Sequence, residues 1–156
     1  MARHRRRSGL TLIELMIAMA IAVLLLAMTA PSMRSLILRS RLEGVISELS
    51  LDLYYARSEA LRRRSTVILI TNANGSGYAI NVGVLSLKAV SLPSGVTLTP
   101  ETTLAFDGVR GATLGDAALD GAVAGHDALG LRASVTAVGR VSVCVSRGKL
   151  PGTPAC

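Results

Sequence analysis

The sequence predicts an α+β fold: a long N-terminal helix, membrane-spanning in its first half and amphipathic in its second, packed on a small, mainly antiparallel β-sheet domain. Three observations predict it. Leu10 to Ala30 is an almost uninterrupted apolar run. Apolar residues then recur at steps of three and four as far as Ala60. Beyond Ser65 the texture changes to short β-rich runs broken by Gly, Asn, Ser and Pro. The chain divides accordingly into a basic leader (1–9), a membrane helix (10–30), an amphipathic helix (31–64) and a β-rich domain with a C-terminal loop (65–156).

The first element is an address and an anchor. The run LTLIELMIAMAIAVLLLAMTA holds 21 residues, and at 1.5 Å per helical residue it covers roughly 30 Å, enough to cross a bilayer. Arg3, Arg5, Arg6 and Arg7 precede it, so the leader stays cytoplasmic and the rest of the chain is exported. An ordinary secretory signal puts a small-residue cleavage site after the apolar run; here the polar-to-apolar boundary is Ser8-Gly9-Leu10. Within the run Glu14 is the anomaly, because a carboxylate at a helix centre costs about 2.5 to 3.5 kcal/mol on insertion scales. Near the end of the segment the cost is lower. Two readings are open: Glu14 reaches the headgroup region, or a cut after Gly9 creates an α-amine at Leu10 that a neighbouring chain presents to it.

Gly9-Leu10-Thr11-Leu12-Ile13-Glu14-Leu15-Met16 resembles the class III signal of type IV pilins and type II secretion pseudopilins. The resemblance implies that a prepilin peptidase cleaves the leader after Gly9 and methylates the new N-terminus at Leu10. It also implies that Glu14, fifth in the mature chain, guides assembly in the filament. The usual first mature residue is Phe, and Leu10 departs from it.

After Pro31, Leu38, Leu42, Val45, Leu49, Leu53, Ala56 and Ala60 align on one stripe of a helix, while Arg39, Arg41, Glu43 and Glu48 fall on other faces. Pro31 predicts a kink or local melting. Arg62, Arg63 and Arg64 suit the C-terminal end of the helix dipole; a phosphate-binding patch is the other reading of that cluster.

In the last region Thr66–Thr71 and Tyr78–Val82 flank the turn signal Asn72-Ala73-Asn74-Gly75-Ser76-Gly77 and read as a hairpin. Further strands are expected over Lys88–Leu92, Val96–Thr99, Thr103–Phe106, Gly130–Thr136 and Arg140–Val145. The Gly-, Ala- and Asp-rich stretch from Gly108 to Asp127 reads as a long loop. Two cysteines, Cys144 and Cys156, suit one disulfide in an oxidising compartment.

Leu53-Tyr54-Tyr55-Ala56-Arg57-Ser58-Glu59-Ala60 resembles the ARSEA helix of the GspH/FimT family of minor pilins and pseudopilins. With the N-terminal signal, the resemblance covers residues 9 to 82. It implies partners among other major and minor pilins or pseudopilins. It also implies location first in a bacterial inner membrane, single pass with the C-terminal domain in the periplasm, and then in a pilus or pseudopilus. FimT-like minor pilins resemble DNA receptors with a C-terminal GRxR motif; GspH-like subunits serve type II secretion. The corresponding segment here is Gly139-Arg140-Val141-Ser142, where Ser142 replaces the second arginine. Arg147 and Lys149 are candidates for the missing charge if the disulfide folds the tail over the strand. The other reading is that Arg140, Arg147 and Lys149 keep an edge soluble.

Composition limits the alternatives. Removing four leader arginines from a formal charge of +7 leaves about +3, a modest balance. Three Tyr, one Phe and no Trp argue against a stacking platform for bases. The mature chain has one histidine, His126, with no nucleophile pattern beside it, and His126-Asp127 is too small a set for a zinc site. Gly108-Val109-Arg110-Gly111 lacks the Lys and Ser/Thr of a phosphate-binding loop. The expectation is therefore a non-enzymatic subunit with no cofactor and no metal: a minor type IV pilin of an initiating or tip complex, contributing to DNA uptake or not. A GspH-type pseudopilin is the alternative, and a single-pass adhesin or ligand-binding module the next.

Overall fold

A computed structural model describes the backbone of residues 11–113, 115, 117–123 and 126–156, and the side chains of all of these except 28–32, 34 and 126–128. Helix α1 runs from Leu12 to Arg63, 52 residues. Its start is set by Thr11, whose Oγ1 accepts the Glu14 N–H at 3.3 Å while its carbonyl accepts the Leu15 N–H at 3.2 Å. Thr11 is thus the N-cap and Glu14 the third helical residue, the spacing of a capping box. At the other end Arg64 takes a left-handed conformation, φ 50°. The Ser65 N–H then reaches the Ala60 carbonyl and the Arg64 N–H the Leu61 carbonyl, which is a Schellman stop with arginine where glycine is usual.

Helical structure continues through Pro31, so the local melting expected there is not found. Proline removes one bond of the ladder, at a cost of about 3 kcal/mol, and the cooperative ladder of a long helix on either side outweighs it.

The chain divides into a unit ending at Leu36 and a unit from Ile37 to Cys156. In the first, every described side chain from residue 11 to 27 is exposed. Among the described residues no helix is long and apolar enough to cross a membrane. The span expected over residues 10–30 reaches beyond the described side chains at both ends; Leu12 to Ala27 alone covers roughly 24 Å.

Among its described residues the second unit holds eight strands: β1 (Val67–Thr71), β2 (Gly77–Val82), β3 (Leu85–Ser91), β4 (Val96–Leu98), β5 (Thr103–Phe106), β6 (Ala117–Val123), β7 (His126–Val135) and β8 (Val141–Arg147). They form two four-stranded sheets, β3-β2-β1-β5 and β4-β6-β7-β8, with every strand pairing antiparallel. The expected hairpin is β1–β2, with Ile70 opposite Ala79.

One core joins both sheets to α1. Leu42, Val45, Leu49, Leu53, Ala56 and Ala60 are buried, as the stripe predicts, and Ile46 joins them. They meet Val67, Tyr78 and Phe106 of one sheet and Leu119, Ala133 and Val135 of the other. Asp52, buried among these, accepts the Tyr78 hydroxyl at 2.8 Å and the Lys88 ammonium at 2.7 Å, tying α1 to β2 and β3. Burial, then the hydrogen bond to Asp52, pushes the Tyr78 phenol well above its usual range.

Three sequence expectations need correction. The stretch from Gly108 to Asp127 is not one loop, because β6 lies within it and pairs with β4 and β7. Its sequence AALDGAV has weak strand propensity, but Leu119, Gly121 and Val123 alternate inward, and packing overrides propensity. A Cβ at Gly121 would come within 2.8 Å of Ile46 Cδ1, so the helix approaches the sheet where the sequence looked loop-like. Strand β3 starts at Leu85, before the expected Lys88, and β7 at His126, before the expected Gly130.

Candidate assembly segment and arginine pole

Gly9 and Leu10, the expected processing and methylation residues, lie outside the described residues. Glu14 is exposed in the first turn of α1, where the N-terminal end of the helix dipole favours a carboxylate. Its place in an apolar run thus has a local cause. The signal, Thr11-x-x-Glu14, was present in the sequence.

The C-terminal motif lies at the hairpin joining β7 to β8. The Thr136 N–H bonds the Arg140 carbonyl at 3.0 Å and the Gly139 N–H the Thr136 carbonyl at 2.7 Å, while Thr136 Oγ1 accepts the Arg140 N–H at 3.2 Å. Gly139 has φ 78°, and a Cβ there would lie 2.3 Å from the Gly111 carbonyl oxygen. Only glycine fits. This holds Arg140 exposed at the turn, one residue before the strand expected to include it. Ser142 is also exposed, and its Oγ lies 2.9 Å from that of Ser134 on the neighbouring strand.

Cys144 and Cys156 form the disulfide, and the tail returns to β8, where the Val145 N–H bonds the Pro154 carbonyl at 2.8 Å. It does not bring Arg147 or Lys149 to Arg140. Arg147 ends β8, seven residues or about 23 Å along an extended strand from Arg140, and Lys149 lies beyond it. Those two cations do not stand in for the charge that Ser142 lacks.

Two other arginines belong to segments that meet the turn before Arg140, and the sequence reading gave neither a role there. Arg57, on α1, donates from Nη2 to the Val138 carbonyl at 3.2 Å. Its Nε is buried with no partner, and the Cβ positions of Gly111 and Gly139 would lie 3.0 and 2.9 Å from it. Arg110 and Arg140 each adjoin one of those glycines, and both are exposed. Asp107 shapes the first loop by accepting the Val109 and Arg110 N–H groups at 3.2 and 3.0 Å. Three arginines therefore share one pole. Arg57 sits in the ARSEA segment, but only the fold places it beside residues 110 and 140.

The arginine cluster at the end of α1 is partly neutralised. Glu59 accepts Arg62 Nε at 2.8 Å and Nη2 at 2.7 Å, and Arg63 Nε at 2.6 Å. Hydrogen bonds from Arg62 and then Arg63 hold the Glu59 carboxyl down at about 2. Among the described residues, no group of three or more His, Cys, Asp or Glu is placed to hold a metal ion.

Two comparisons show what these features are similar to. Residues 4–30 match the prokaryotic N-terminal methylation motif, a stretch that includes the Gly9-Leu10 junction and the apolar run. The fold is similar to that of the type IV minor pilin FimU of Pseudomonas aeruginosa. One crystal form of that protein aligns with TM-score 0.60 and 21% identity over 70% of this chain and 96% of that one. A second aligns with TM-score 0.57 and 21% identity over 68% and 98%. Comparison with curated proteins found no match.

Proposed function

We propose that the chain is a minor type IV pilin of the GspH/FimT kind, made as an inner-membrane precursor and assembled into the initiating or tip complex of a filament. The observation that carries this reading is the methylation motif over residues 4–30, leading into a helix whose described side chains from 11 to 27 are all exposed. So large an apolar surface needs lipid or neighbouring helices to cover it. The leader anchors the precursor with its C-terminal domain in the periplasm. Prepilin peptidase cuts between Gly9 and Leu10 and methylates Leu10. The amine of a neighbour then meets Glu14 as helices stack.

Processing and incorporation test this. Gly9→Ala is expected to block leader removal, and Glu14→Ala to reduce incorporation while leaving processing intact. Leader removal and assembly unaffected by Gly9→Ala would favour the plain membrane-anchored adhesin instead. Co-purification of the processed subunit with its neighbours separates a pilus from a type II secretion pseudopilus.

A second reading, DNA contact during uptake, is favoured by Arg57, Arg110 and Arg140 at one pole. Arg110 and Arg140 are exposed there and able to meet phosphate oxygens, while Arg57, half-buried with its Nε enclosed, adds positive charge behind them. Binding should weaken as salt rises and be lost on Arg140→Ala; no binding at low salt would remove this role and leave the assembly role standing.

A further inference from the structure

At the end of the second unit opposite the arginine pole, the tail closed by the disulfide forms a cleft with α1. The cleft has a volume of about 560 Å³ and is lined by Arg39, Lys149, Val145, Leu150 and Pro151 among others. Its floor is apolar, and its two cations come from separate elements. Arg39 bonds Glu43 at 3.0 Å, which offsets one charge, whereas Lys149 is exposed. Arg41, two residues along, turns to another side and donates to the Ser94 carbonyl at 3.1 Å. Arg147 closes β8 just before Lys149. Arg39 and Lys149 thus bring cations from two elements to one cleft.

Its place in the chain says what such a pair meets. Arg39 follows the last residue of the apolar run by nine positions, so in a membrane-anchored chain this is the part of the folded unit joined most directly to the lipid segment. Basic groups beside a membrane helix gain from anionic headgroups within a Debye length of the surface. We infer that Arg39 and Lys149 form a docking site for the phosphodiester headgroup of an anionic phospholipid, holding the folded unit against the bilayer before the subunit enters a filament. The apolar floor admits the glycerol carbons while the two cations take the phosphate. This inference rests on the membrane anchoring proposed above.

The chain contains two lysines, Lys88 and Lys149, so acylation by a membrane-impermeant amine reagent, read by mass spectrometry, reports on Lys149 with Lys88 as internal reference. The full chain is reconstituted in vesicles of phosphatidylcholine alone and of phosphatidylcholine with phosphatidylglycerol. In the anionic vesicles Lys149 acylation should slow by roughly fivefold, the effect of one charge at the surface, and recover in high salt. Arg39→Gln should remove much of the protection. Equal Lys149 rates in the two vesicles would overturn the inference. So would equal protection by free glycerol phosphate or by a DNA duplex added to phosphatidylcholine vesicles, which would assign the cleft to soluble phosphate or to nucleic acid. Failure of the chain to float with either vesicle would instead sink the anchoring.

Discussion

At Arg64 a long β-carbon-bearing residue does the work of glycine. Its φ of 50° completes the Schellman bonds, and the left-handed region costs a non-glycine residue about 1 to 2 kcal/mol. Glycine loses part of that advantage to its larger unfolded-state entropy. Arg64→Gly should therefore stabilise the protein by about 0.5 to 1 kcal/mol, read as a higher urea midpoint at unchanged slope; a lower midpoint would mean that the Arg64 side chain supplies contacts of its own. Glu59 makes a pH-dependent contribution. Its folded-state pKa is depressed from 4.5 to about 2, chiefly by hydrogen bonds from Arg62 and then Arg63. Such a depression stabilises the fold fully above the unfolded value and is lost as pH falls through the folded one. The melting temperature of the wild type should thus exceed that of Glu59→Gln at pH 6, and the gap should close between about pH 4.5 and pH 2. A gap that persists unchanged at pH 2 would place its origin in packing. Residue patterns showed Glu14 as anomalous and Arg140 as a candidate, yet they could not rank the cations. Arg57 looks like any helix arginine until the loops around residues 111 and 139 close over it.

Elements differ in how openly their sequence declares them. The stripe from Leu42 to Ala60 was legible because a helix repeats its buried face at a fixed step, and β1, β2 and β5 because β-branched or aromatic residues gather there between turn signals. Strand β6 was hidden because its inward positions include Gly121, chosen for room beneath Ile46 and Leu42 rather than for strand propensity. The C-terminal end of α1 and the turn after β5 fit each other just as closely. A Cβ at Gly108 would lie 2.2 Å from the Ser65 nitrogen and 2.5 Å from the Arg64 carbonyl carbon. These are backbone atoms, and they cannot turn aside as a side chain can. Gly108→Ala should therefore destabilise the protein by about 1 to 3 kcal/mol, visible as a lower urea midpoint. Retention of the wild-type midpoint would mean that the helix end and this turn do not pack as described.

Over the whole molecule, the disulfide links the periphery to the core. The 13-residue loop from Cys144 to Cys156 covers the outer edge of β8, an edge that would otherwise expose unpaired backbone groups. The non-covalent hold there is slight: the Val145 N–H bonds the Pro154 carbonyl and the Cys156 N–H the Val145 carbonyl, with one parallel bridge from Val145 to Ala155. By the chain-entropy argument, closing a loop of this length stabilises the fold by about 3 kcal/mol. Replacing both cysteines with serine should lower stability by about that amount. In a unit of this size the melting temperature should fall by about 10 °C. The paired replacement matters, since a single one leaves a reactive thiol. The cost should appear in the unfolding of the second unit and not in leader processing, because Gly9 and Leu10 lie in the first. A doubly substituted chain that melts at the wild-type temperature would show that the two backbone bonds alone hold the tail. One that is processed normally but unfolds early would separate the two jobs proposed for the sequence: an N-terminal segment to be cut and assembled, and a covalently closed domain.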